Sequence, residues 1–159
     1  MVLVRTLPED AWGFFVGNHP EGNIFHTPEM FRVFSRTKNY RPALWAAIRG
    51  GRILALFLPV QTTLMGGLLR PFTSRFVVYG SVLCEPDEEG LEALDKLLES
   101  YTHQIKGPPL FTELRNLTKL ETVQPILGKH GFVYQDHLNY LINLNRSPEA
   151  VFKDPSVPQ

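Results

Sequence analysis

The segment ALWAAIRGGRILALFLPV, residues 43–60, constrains the fold most. Two apolar runs, 43–49 and 52–60, flank Gly50 and Gly51. A two-residue hairpin loop needs backbone conformations that glycine takes without steric cost, so the pair reads as a turn. The second run is apolar at nearly every position, which suits a central strand buried on both faces. Such a strand needs helices on either side of its sheet.

The flanking sequence supplies them. Thr6 and Glu9 have the spacing of a capping box, Pro8 sits in the first turn, and Trp12, Phe15 and Val16 share a face, so a helix is expected over roughly 7–17. Thr27, Pro28 and Glu29 repeat the start signal. Met30, Val33 and Phe34 share the apolar face of that second helix, which fades near 38–40. Residues 2–5 read as a short strand, and 76–84 (FVVYGSVLC) as a longer one with Gly80 at a bulge. Asp87 opens the clearest helix, with Leu91, Leu94, Leu97, Leu98, Tyr101 and Ile105 at helical spacing and Gly107 at its end. Residues 110–117 (LFTELRNL) read as a strand. Thr118 and Glu121 open a helix to about 129, which Pro125 must kink or split. Residues 132–144 form a last strand, long enough to need a bulge or bend. The expected fold is α/β (α+β): a mixed, largely antiparallel sheet with helices on both faces.

Charge and cysteine usage narrow the setting. Sixteen basic residues balance sixteen acidic ones, so no global field draws the chain to DNA or to an anionic membrane. Cys84 is the single cysteine, so no internal disulfide can form. The start, MVLVRTLPED, has no signal-peptide pattern, and the run 53–60 is too short to span a bilayer as a helix. A cytoplasmic protein is the expectation.

Few residues announce chemistry. Cys84 at the end of an apolar strand reads as a small buried hydrophobe. His19, His26, His103, His130 and His137 do not pair at metal-ligand spacing, so no metal site is expected. The basic RGGR at 49–52 lies between strands, where its amides build no helix-terminus phosphate cradle. FTELR, 111–115, is more informative. Alternation places Phe111, Glu113 and Arg115 on one face, where the carboxylate and guanidinium could bind a polar ligand or pair with each other or with neighbours. Arg70, Arg75 and Tyr79 flank the preceding strand and could line a pocket for an anionic group, since arginine suits bidentate oxyanion contact. Asp136 and His137 lie on the last strand, where either could accept a proton, although a structural role stands ahead of that.

GNIFHTPEMFRVF, the hairpin around Gly50 and Gly51, and LRPFTSRFVVYGSVLC together resemble the N-terminal half of FemAB-like proteins of the GNAT (N-acetyltransferase-like) superfamily. ILGKHGFVYQDHLNYLINL is similar to the closing unit of a GNAT domain, with Gly131 and Phe132 between helix and strand. The resemblance covers about residues 20–152. It implies transfer of an acyl or aminoacyl group to a small-molecule or peptide amine acceptor, with acyl-CoA or aminoacyl-tRNA as donor. The family chemistry needs no covalent enzyme intermediate. One departure stands out: the GNAT pyrophosphate loop, Gln/Arg-x-x-Gly-x-Gly/Ala before a helix, is not found, and YGSVLCEPDEEG brings acid to that place. A non-catalytic binding module of the same fold is the alternative.

Ser147, Pro148 and Glu149 repeat the start signal of Thr27, Pro28 and Glu29, and Pro155 and Pro158 then oppose helix extension. The expectation is one GNAT-like domain over 1–145 and the start of a truncated helix in a disordered tail over 146–159. The chain would then be the first half of a duplicated fold, with an apolar surface where a second half, or a second copy in a homodimer, sits.

Overall fold

The computed structural model describes residues 1–63, 73–105, 110–117, 120–136 and 145–152. The chain begins with β1 (Val2–Val4), α1 (Glu9–Asn18), a 3-10 turn (Ile24–His26) and α2 (Pro28–Arg36). Then come β2 (Tyr40–Pro42), β3 (Trp45–Arg49), β4 (Arg52–Phe57), β5 (Pro59–Thr63), β6 (Ser74–Tyr79) and β7 (Leu83–Cys84). The remainder holds α3 (Glu88–Gln104), β8 (Thr112–Arg115), α4 (Gln124–Lys129) and α5 (Pro148–Phe152).

Gly50 and Gly51 turn the chain with φ of +58° and +81°, and β3 and β4 pair antiparallel across them. The apolar run after the turn is not one strand. β4 ends at Phe57 and β5 begins at Pro59, in a different sheet. Pro59 has no N–H to donate, so the first ladder does not continue through it. The expected burial holds: Leu54 through Phe57 are fully enclosed, and Leu58 and Val60 nearly so.

The strand expected at 76–84 also breaks. β6 stops at Tyr79, Gly80 and Ser81 take φ of +77° and +76°, and β7 then joins the other sheet against β4. The result is two four-stranded sheets, β1-β3-β4-β7 and β2-β5-β6-β8. Neighbours pair antiparallel except β6 and β8, which run parallel with α3 between them in sequence.

Helices cover both faces. Trp12, Phe15 and Val16 of α1 pack on Ala46, Leu56 and Leu83. Leu94, Leu97, Leu98 and Tyr101 of α3 pack on the opposite side against Trp45, Ala47, Ala55 and Phe57. The alternating side chains of β3 and β4 therefore feed two cores. Tyr101 sits at the centre of the second, edge-on to Trp45 and Phe57 at centroid distances of 5.3 and 4.7 Å.

Helix starts and faces follow local chemistry with three exceptions. Thr27 Oγ1 accepts from Met30 N at 3.2 Å, and Asp87 Oδ1 from Gly90 N at 2.7 Å, as their spacing requires. The Thr6 and Glu9 capping box does not form, because Pro8 itself occupies the cap position. On α2 it is Phe31, edge-on to Trp12 at 5.4 Å, that turns inward, while Val33 faces solvent. Pro125 neither kinks nor splits a helix, because α4 begins at Gln124 and places it in the first turn. Thr118 lies outside the described residues. So does 137–144 of the expected last strand, and 132–136 is not in a strand. Ser147 Oγ accepts from Ala150 N at 3.3 Å to start α5, and residues 153–159 lie outside the described residues.

Candidate functional site

β6 and β8 pair in register as Phe76 with Thr112, Val77 with Glu113, Val78 with Leu114 and Tyr79 with Arg115. Phe76, Val78, Thr112 and Leu114 face α3, and the Thr112 hydroxyl meets Tyr101 OH at 2.8 Å. Arg75, Tyr79, Glu113 and Arg115 share the opposite face. These are four of the five residues singled out from the sequence, and Arg70 lies outside the described residues.

The four form one connected group. Arg115 Nε donates to Glu113 Oε1 at 2.9 Å, and Arg75 Nη1 lies 3.6 Å from Glu113 Oε2. The two residues of FTELR thus pair with each other, and a second guanidinium joins them. The Arg115 guanidinium stands 5.5 Å from the Tyr79 ring centroid. The Arg115 pKa is raised, chiefly by its hydrogen bond to Glu113. Burial raises that of the Tyr79 hydroxyl, helped by the Tyr40 charge and hydrogen bond, while Arg115 and Arg75 pull the other way.

Aromatic rings continue the face. Tyr79 stacks on Phe25 at 5.6 Å and on Phe34 at 5.2 Å, and Phe34 stacks on Tyr40 at 5.9 Å. The row Phe25, Tyr79, Phe34, Tyr40 draws on four different elements. A broad groove of about 1840 Å³ opens beside it, with Phe25, Tyr79, Glu113, Arg115 and Asn116 in its wall. Asn116 Oδ1 is buried there without a hydrogen-bond donor among the described residues.

Beneath the row lies a polar knot. His26 is fully buried. Its Nε2 donates to Ser81 O at 3.3 Å and its Nδ1 accepts from Asn23 N at 3.3 Å, an arrangement open only to the neutral ring. Burial is the main reason that its pKa falls to about 4. Gly80 has no room for a side chain: a Cβ would stand 2.6 Å from Asn23 Oδ1 and 3.0 Å from His26 Cε1. The knot ties Phe25 of the 3-10 turn to Tyr79 at the end of β6.

Comparison with known proteins speaks to the fold. No protein-family model matches the chain, and no curated protein matches it. Solved structures do. A "probable acetyltransferase" superposes with a TM-score of 0.57 at 12% identity, over 92% of this chain and 100% of the other. The chain shares that protein's fold, a GNAT-like mixed α/β architecture. A transcriptional regulator from Bacillus halodurans C-125 shares it, with a TM-score of 0.54, 12% identity and coverage of 88% and 97%. So does a protein from Thermus thermophilus, with a TM-score of 0.52, 16% identity and coverage of 92% and 100%.

Within that GNAT fold, the start of α3 does not fit a pyrophosphate. Asp87 already caps it through Gly90 N, Glu88 and Glu89 fill its first turn, and the Glu85 carbonyl oxygen lies where a Gly90 side chain would begin. Three acids at a helix N-terminus repel a phosphate rather than cradle it.

Cys84, Asp136 and His130 lie apart from the face of β6 and β8. Cys84 is buried and its thiol is pushed up to about 11 by burial first, then by Asp87 and Glu85. Asp136 is exposed and holds the Tyr134 hydroxyl, and His137 lies outside the described residues. His130 Nε2 meets Asp95 Oδ1 at 2.7 Å, joining α4 to α3. Phe25, Phe34 and Tyr40 were not expected at the site. Their only sequence signal is an excess of rings around Thr27 and Pro28.

Proposed function

We propose that the chain is an acyltransferase domain that moves an acyl or aminoacyl group to an amine acceptor, in the manner of the FemAB-like proteins that its sequence resembles. The observation that carries this reading is the meeting of Arg75, Tyr79, Glu113 and Arg115 on one face of a fold shared with a "probable acetyltransferase". That face is read as the acceptor site, and Arg70 belongs to the same proposal. The donor is acyl-CoA or aminoacyl-tRNA, held elsewhere than at the acidic start of α3. Transfer then needs the two substrates aligned, a path for the amine proton and a stabilised oxyanion. A buried thiol such as that of Cys84 is not asked to act.

Residues 1–145 are read as one GNAT-like unit and 146–159 as the opening of a further helix. Exposed Phe111, Leu117, Val133 and Tyr134 support a covering partner, either a second GNAT-like half or a second copy. The balanced charge and lone cysteine support a cytoplasmic setting, and no helix among the described residues is long and apolar enough to cross a membrane.

The acid-capped start of α3 favours a second reading, a non-catalytic binding module of the same fold. A thermal-shift series with acetyl-CoA, longer acyl-CoAs and free CoA, run beside an assay of amine acylation, separates the two. Dose-dependent stabilisation with transfer to an amine is the expected result for the enzyme. Absence of both, with aminoacyl-tRNA also inactive, would favour the module.

A further inference from the structure

The face of β6 and β8 is unbalanced in charge. Among the described residues Arg75 and Arg115 both pair with one carboxylate, Glu113, two guanidinium groups to one acid. Arg115 meets Glu113 through Nε alone, and its two Nη groups make no hydrogen bond among the described residues. A guanidinium engaged side-on in this way still presents its end-on fork, the geometry that takes an oxyanion through two parallel bonds. The side chains of Arg75, Glu113 and Arg115 remain 41%, 34% and 47% exposed, so a ligand can reach them.

The rings beside the fork add a second demand. Phe25 and Tyr79 are half-buried, near-parallel and in the wall of the same groove as Arg115. A small oxyanion in this place would leave the groove-facing edges of both rings in water. A ligand whose oxyanion is attached to a flat body covers them, excludes water from the ion pair and strengthens it.

We propose that this face binds a carboxylate or phosphate carried on an aromatic or similarly flat body, with the oxyanion on the Nη edge of Arg115 and the body against the groove-facing edges of Phe25 and Tyr79. This rests on the reading of the face as the acceptor site: the acceptor amine then belongs to a molecule that also bears an oxyanion. Glu113 holds Arg115 in place and competes with the ligand for it.

Isothermal titration of the whole chain tests this with phenylacetate and phenyl phosphate, set against acetate, inorganic phosphate, benzyl alcohol and benzylamine. At least one of the first two should bind about tenfold tighter than every other probe, and the tighter of them names the oxyanion. Arg115→Leu should abolish that binding and Arg115→Lys retain part of it. Glu113→Gln should tighten it by about threefold or more, because the competing carboxylate is gone. Thermal melts confirm that each variant is folded. Preference for benzylamine, or weaker binding in Glu113→Gln, would overturn the proposal and make Glu113 the recognition group. Failure of both aromatic oxyanions to bind at millimolar concentration would overturn it as well. Amine acylation is scored separately: transfer without probe binding sinks this inference alone, and probe binding without transfer sinks the acyltransferase reading alone.

Discussion

His26 Nε2 reaches the carbonyl oxygen of Ser81, 55 residues further along the chain, at 3.3 Å. Through that bond the 3-10 turn is fixed to the point where the chain leaves β6. His26 cannot take a proton without losing the bond that its Nδ1 accepts from Asn23 N.

Acid should therefore unfold the protein through His26. Its native pKa of about 4 lies below the ordinary 6.5. Between those values the unfolded chain binds a proton that the native one refuses. Stability is thus full above pH 6.5 and is lost as the pH falls toward 4, by on the order of 3 kcal/mol. Urea unfolding at several pH values should show this slope, and His26→Gln should flatten it. An unchanged slope in the variant would assign the effect to other groups.

Gly80→Ala should be among the most damaging single-methyl changes available. The position has φ of +77°, and the added carbon would meet Asn23 and His26. A loss of about 2–4 kcal/mol is expected in chemical denaturation. Gly50→Ala is the control. It also has positive φ, +58°, but nothing stands within 4 Å of its missing Cβ, so about 1 kcal/mol is expected.

Tyr101 should stay protonated until the protein unfolds. Burial drives its pKa well above that of a free phenol, and the Thr112 hydrogen bond offsets this only in part. Absorbance titration should show one tyrosine ionising together with loss of structure. Tyr101→Phe leaves the three edge-on ring contacts and removes only the 2.8 Å bond to Thr112, at a cost of about 1 kcal/mol.

Cys84 should resist thiol reagents in the native state. Its pKa of about 11 leaves little thiolate at pH 8, and the side chain is buried. Labelling with a disulfide reagent should await unfolding and follow the unfolding rate. Rapid native labelling would mean that β7 opens far more readily than its packing allows.

Much of this could be read from residues alone. The hairpin at Gly50 and Gly51, the caps at Thr27 and Asp87, and the inward rows of α1 and α3 are local, and local chemistry decides them. The sheet changes inside the apolar runs 53–60 and 76–84 were not legible, because an apolar run has the same composition whether it serves one sheet or two. Pro59 and Gly80 were the available signals, read as ordinary strand residues or a bulge. At the site, alternation put Glu113 and Arg115 on one face, and the pairing of β6 with β8 sets Arg75 and Tyr79 beside them. What alternation cannot supply is the neighbour from another element. Phe25, Phe34 and Tyr40 reach Tyr79 only through tertiary packing.

The chain passes from one sheet to the other at Leu58 and returns between Gly80 and Leu83. The two sheets are therefore stitched rather than stacked. Peeling β5 from its neighbours tugs directly on β4, and displacing β7 tugs on β6. A ligand that tightens the face of β6 and β8 would thus slow amide exchange in β3 and β4, strands that it never touches.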